Sequence, residues 1–106
     1  MTIAIVVSVN DPETVHNALR LAAYSQSVGD NVSLFLLGAG VEIESISNTE
    51  FDVLQKARAF HHEGGEILAC GTCLERRGIG KSDLYQIATI ADLRNLIDRS
   101  ERVVTF

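Results

Sequence analysis

The run Ile3-Ala4-Ile5-Val6-Val7 is aliphatic without a polar interruption and mostly β-branched. A half-exposed strand alternates polar and apolar residues, whereas an unbroken run of this length fits a strand covered on both faces, as in parallel sheets. Parallel neighbours need long return connections, usually helices. The next residues supply one. Asn10-Asp11-Pro12-Glu13 reads as a helix start: a capping side chain, proline in the first turn, an acid near the positive end. Val15, Ala18, Leu19, Ala22 and Ala23 then recur at helical spacing on one face, and Gly29-Asp30-Asn31 ends the helix.

The alternation continues down the chain. Val32 to Leu37 is a second strand, followed by Gly38-Ala39-Gly40 and a loop-like connection through Val41, Ile43 and Ile46. Ser47-Asn48-Thr49-Glu50 has capping-box spacing, predicting a helix that buries Phe51, Leu54, Ala57 and Phe60 and closes at Gly64-Gly65. Ile67 to Cys70 is a third strand, leading through Gly71 and Thr72 into a short helix stopped by Gly78. A fourth strand falls within Tyr85 to Ala88. Thr89-Ile90-Ala91-Asp92 opens a last helix with Ile90, Leu93, Leu96 and Ile97 inward, and Val103 to Phe106 is a final strand. The expectation is a single domain over residues 1–106: an α/β, three-layer α/β/α sandwich around a mainly parallel five-stranded sheet with right-handed crossovers. The pattern does not give the strand order.

The net charge of −5 argues against a nucleic-acid partner, whose phosphates call for a basic patch. Among the basic residues only Arg76, Arg77 and Lys81 cluster, which suits a local anionic centre. The first apolar run is too short for a signal peptide, and no stretch reaches the roughly 20 apolar residues of a membrane span. A cytoplasmic setting is therefore expected, without membrane association. In that setting a Cys-x-x-Cys pair is better suited to catalysis, redox chemistry or metal binding than to a structural disulfide.

Cys70 and Cys73 stand at a strand-to-helix junction, where open α/β sheets bind ligands. A free thiol with a pKa near 8.5 is only about 3% ionised at neutral pH. A helix amino terminus lifts that fraction to only about 14%. Arg76 and Arg77 would add to it by folding back over the sulfur. The structural alternative is that Cys70 is a small buried hydrophobe and that Cys73 lines the inner face of the short helix.

Other motifs weaken on inspection. Gly78-Ile79-Gly80-Lys81-Ser82 resembles the tail of a P-loop, but Glu75 occupies the position of its first glycine. Gly38-Ala39-Gly40 lacks the third glycine of a dinucleotide fingerprint and reads as a turn whose glycines permit close approach. His61 and His62 fit the carboxyl end of their helix, and His16 an exposed face. Zinc calls for four ligands, and one thiol pair with distant histidines does not supply them. No cofactor and no metal are expected.

Cys70-Gly71-Thr72-Cys73 with Arg77-Gly78-Ile79, preceded by Gly64-Gly65-Glu66-Ile67, resembles the DsrE/DsrF-like sulfur-relay family. Leu34 to Val41, Asp92-Leu93 and Val103 to Phe106 extend the likeness over nearly the whole chain. The resemblance implies a compact α/β/α domain assembled into homo-trimers or hexamers. It implies a persulfide carrier or sulfurtransferase in which Cys70 takes sulfur from one protein thiol and passes it to another. Well-understood relay subunits have a small apolar residue where this chain has Cys73, so the chain looks closer to stand-alone members with both thiols. On that reading Cys70 and Cys73 carry the chemistry, and Gly71, Thr72, Arg76 and Arg77 contact the substrate, with Lys81 nearby. A Cys70/Cys73 dithiol oxidoreductase or redox sensor, and a non-catalytic oligomeric binding module, are the alternatives.

Overall fold

The computed structural model describes all 106 residues. Five strands, β1 (Thr2–Val7), β2 (Asn31–Leu36), β3 (Glu66–Cys70), β4 (Gln86–Ala88) and β5 (Arg102–Thr105), form one sheet in the order β4-β3-β2-β1-β5. Every pairing is parallel. The helices are α1 (Pro12–Ser27), α2 (Val53–His62), α3 (Gly71–Arg76) and α4 (Ile90–Asp98). The sheet grows in one direction from β1 to β4, so right-handed crossovers put α1, α2 and α3 on one face. The return from β4 to β5 puts α4 on the other. The three-layer α/β sandwich expected from the sequence is the fold observed.

The central strands are buried on both faces, as their unbroken apolar sequences require: Ala4, Ile5, Val7, Leu34, Phe35, Leu36 and Ala69 are fully inaccessible. The α1 start is as read, with Asp11 accepting the Thr14 amide and Pro12 in the first turn. Its buried face is Val15, Ala18, Leu19 and Ala22, whereas Ala23 points to solvent.

Several local expectations are corrected. The connection after β2 is not a loop but a 3-10 segment, Gly38–Ser45, with Val41 and Ile43 buried in the core. The helix expected to open at Ser47 begins at Val53, because Asn48 Oδ1 takes the amides of Glu50 and Phe51 and turns the chain there. Asp52 supplies the cap, and Val53, Ala57 and Phe60 form the buried row. Phe51, left outside the helix, packs against His16 in a tilted ring pair, 5.3 Å between centres, and that histidine is half-buried rather than exposed. In α4 the Thr89–Asp92 capping box is present, but only Leu93 and Leu96 are buried. Ile90 and Ile97 lie about 70–90° round the helix from the mid-line of that row and remain exposed.

One close approach fixes the carboxyl end of the sheet. A Cβ on Gly40 would lie 2.1 Å from the Val7 carbonyl oxygen, so only glycine fits. Gly38, two residues earlier, has φ +54°, and Leu37 donates its amide to that same Val7 oxygen at 2.9 Å. The turn is therefore locked against the end of β1.

Candidate functional site

Strand β3 ends at Cys70, which keeps extended backbone (φ −60°, ψ 116°) and serves as the cap residue of α3. Strand alternation puts it in line with Leu68 and Glu66. It is buried, with 7% of its surface exposed, and the amides of Thr72 and Cys73 are directed at its sulfur. Helix α3 has six residues, so its dipole contributes less than the sequence suggests.

Cys73 lies one turn further on and is half-buried. Its sulfur accepts a hydrogen bond from the Gly38 amide at 3.2 Å. The locked glycine turn thus aims a backbone donor at a thiol 35 residues away. Arg77 Nη1 donates to the Cys73 carbonyl at 3.2 Å, while its Nε donates to Glu42 Oε2 at 2.9 Å. Glu42 also accepts from Asn10 at 3.3 Å. The Arg77 and Asn10 donors hold its carboxyl below the ordinary carboxylate range.

The two thiols are driven apart. Burial pushes Cys70 up, and the neighbouring Cys73 adds to the rise. Cys73 is lowered, first by the Cys70 thiol directed at it, then by the Gly38 amide and the charges of Arg77 and Arg76, against a partial desolvation. Of the two sulfurs, the more accessible one is therefore where the charged form is favoured.

Both cysteines line a cleft of about 510 Å³ at the carboxyl ends of β3 and β4. Its other walls are Gly71, Thr72, Ala88, Thr89 and two isoleucines, Ile87 and Ile90, which are 55% and 68% exposed. A side chain on Gly71 would press on Ile87 at 3.0 Å, narrowing this cleft.

The family model of the DsrE/DsrF-like family matches residues 1–106. The chain belongs to the DsrE/DsrF-like family. Relatives include an uncharacterized protein of Methanopyrus kandleri, 30% identical over 89% of this chain and 83% of the relative. Another, from Methanocaldococcus jannaschii, is 31% identical over 89% and 88% respectively. Among solved structures, the ychN protein of E. coli superposes with a TM-score of 0.84 at 24% identity, covering 100% of both chains. A conserved protein of unknown function from Bacteroides thetaiotaomicron gives 0.82 at 20% identity, covering 99% of this chain and 94% of that one. These two likenesses establish a shared fold.

Within this DsrE/DsrF-like domain the residues singled out from sequence separate. Cys70, Gly71, Thr72 and Cys73 meet at one cleft. Arg77 is tied to Glu42 and the Cys73 carbonyl, and its charge lowers Cys73. Arg76 is exposed and influences Cys73 only through its charge. Lys81 is exposed and is not among the groups shifting either thiol. Cys70 is the strand's last core residue, and what little of it is exposed lines the cleft.

Two contributors were missed. Gly38 was visible only as part of a turn, and nothing local in the sequence marks Glu42 as the partner of Arg77. No group of three His, Cys, Asp or Glu side chains is gathered closely enough to hold a metal ion. No helix is long and apolar enough to cross a membrane.

Proposed function

We propose that the protein is a small sulfur carrier, accepting and passing on sulfane sulfur at the Cys70–Cys73 pair, with Cys70 as the carrying thiol. The family is one generally implicated in sulfur relay, and the observation that carries the reading is the pair itself: two thiols lining one open cleft, with the Gly38 amide 3.2 Å from the Cys73 sulfur. A thiolate attacks the outer sulfur of a donor persulfide. A new S–S bond forms to the protein, the donor's S–S bond breaks, and the donor leaves as a thiolate. No electrons are gained or lost overall, and the chemistry needs only an ionised, reachable thiol.

The donor and acceptor on this reading are protein thiols, docking on the rim formed by Ile87 and Ile90. Gly71 and Thr72 face the incoming sulfur, while Arg76 and Arg77 favour the anion. A reducing, cytoplasmic setting suits two free thiols so spaced. Copies of the chain assemble as a trimer or hexamer. Leu21, Tyr24 and Val28 on and beside α1 are exposed and offer apolar surface for that contact. Light scattering should give a multiple of 11.5 kDa, and a monomer at working concentration contradicts the assembly.

The test is to load the protein with a small-molecule persulfide, remove the donor by desalting, and offer cyanide as sulfur acceptor. Wild-type protein should gain the mass of one sulfur and yield thiocyanate, and the variant with both cysteines changed to serine should do neither. If fragment-ion mass spectrometry of the fully loaded wild-type protein finds no sulfur on Cys70, Cys70 is not the carrier. The facing sulfurs also favour a second reading, a dithiol oxidoreductase or redox sensor. It requires a reversible Cys70–Cys73 disulfide with a potential of roughly −200 to −300 mV, and failure of that bond to form in any thiol buffer removes it.

A further inference from the structure

Gly38-Ala39-Gly40 is a turn that only glycine can build at its third position, and it presents one amide to one sulfur. The proposed function does not require such a device on Cys73. A carrier with Cys70 alone has the Thr72 and Cys73 amides beside that sulfur and no use for a third donor on Cys73. The turn serves the other thiol, which is also the more accessible one. From this geometry we infer that sulfur enters at Cys73, whose thiolate is held by the Gly38 amide, and is handed on to Cys70. The inference rests on the sulfur-carrier reading and assigns the order of the two thiols within it.

The steps balance. Cys73 thiolate bonds to the outer sulfur of the donor persulfide, and the donor departs as a thiolate. The outer sulfur keeps its hydrogen, giving a Cys73 hydropersulfide, and the departing donor thiolate takes the Cys70 proton. Cys70 thiolate then attacks that outer sulfur, and the Cys73–sulfur bond breaks. The leaving group is the Cys73 thiolate, so the same Gly38 N–H that favours it as attacker favours its departure. Attack by Cys70 on the inner sulfur instead would expel hydrosulfide and leave a Cys70–Cys73 disulfide.

The groups that set the charge on Cys73 come from three elements. They are the Cys70 thiol on β3, Arg76 and Arg77 on α3, and the Gly38 amide of the 3-10 segment. Glu42 from that segment opposes them but is paired with Arg77. The cleft wall from α4 offers Thr89 and Ile90, which carry no charge.

The experiment is time-resolved loading with a small-molecule persulfide at neutral pH, quenched by alkylation. Fragment-ion mass spectrometry then separates Cys70 from Cys73. In wild type the first sulfur should appear on Cys73 and later on Cys70. Cys73→Ala should load about tenfold more slowly or worse, with the loss narrowing as pH rises and Cys70 ionises. Cys70→Ala should load at Cys73 and stall there. Cys70→Ser retains a hydroxyl donor to Cys73 and should load faster than Cys70→Ala, a rescue that a purely structural role would not produce. If Cys73→Ala loads as fast as wild type and all early sulfur is on Cys70, the inference is wrong and the carrier reading stands. If wild type gains no sulfur at either thiol, both fail.

Discussion

The two ends of the sheet are finished differently. At the amino ends of the strands, charges meet opposite charges: the Met1 ammonium lies 2.7 Å from Asp30, and Arg99 lies 3.0 Å from Glu66. The Thr2 amide is taken by Glu101. Such exposed pairs contribute little to stability, and they do close the end off. At the carboxyl ends of β2, β3 and β4 a backbone amide points at a sulfur, Arg76 stays in solvent, and Ile87 and Ile90 stand largely uncovered. On the sulfur-carrier reading, this is the surface that a donor or acceptor protein would meet. The comparison also separates two rules of α/β sheets. The thiols lie at the carboxyl edge, as expected, but two strands from β1, where the strand order reverses. At that reversal, between β1 and β5, Ser8 donates both its amide and its hydroxyl to the Phe106 carbonyl, tying the β1 end to the chain terminus.

The largest expected effect concerns glycine. Gly40→Ala forces a Cβ into the Val7 carbonyl and should cost about 3 kcal/mol. Gly29→Ala, at the amino end, meets nothing within 4 Å and should cost about 1 kcal/mol for its positive φ alone. Denaturant unfolding measures both, and equal losses would remove the contrast.

A smaller effect distinguishes the ends by salt. The Met1 ammonium is raised by Asp30, so its contribution is present below its ordinary value and is lost as pH climbs through the raised one. Cys70 is a raised acid: above the ordinary thiol value the unfolded chain ionises first, and stability falls there too. Cys73, lowered, contributes above the ordinary thiol value and loses that contribution as pH falls through its lowered one. Thermal melts from about pH 7 to 9.5 should show an alkaline loss with two parts. Asp30→Asn should remove the part that 1 M salt abolishes, and Cys70→Ala the part that salt leaves. A wholly salt-sensitive loss would contradict the burial of Cys70.

The smallest expected effect tests the arginines. Arg77→Met should slow sulfur loading by about two- to threefold, and Arg76→Met by less, because it acts only through solvent-screened charge. An Arg76 effect exceeding that of Arg77 would show that the Glu42 anchor is irrelevant.

Much of this was legible in the chain. Unbroken aliphatic runs, the Asp11-Pro12 start and the Thr89–Asp92 box report local physics that tertiary contacts did not overturn. Helix α2 was misread at its start because Asn48 takes the Glu50 amide that a Ser47 cap would use, and Ser47 accepts from Leu54 instead. The inward placing of Ile90 and Ile97 failed because periodicity gives a face but not its width. The pair Cys70–Cys73 was visible from spacing, but which sulfur bears the charge was not. That depends on Gly38, brought to Cys73 by the pairing of β2 with β3, a long-range register that no local pattern encodes.

The most direct test of a charge divided in this way is site-resolved alkylation of the wild-type protein with iodoacetamide across pH. Cys73 should react first, with its midpoint below that of an ordinary cysteine, while Cys70 reacts late and only at higher pH. Cys70 reacting first, or both thiols titrating as ordinary cysteines, would contradict the account.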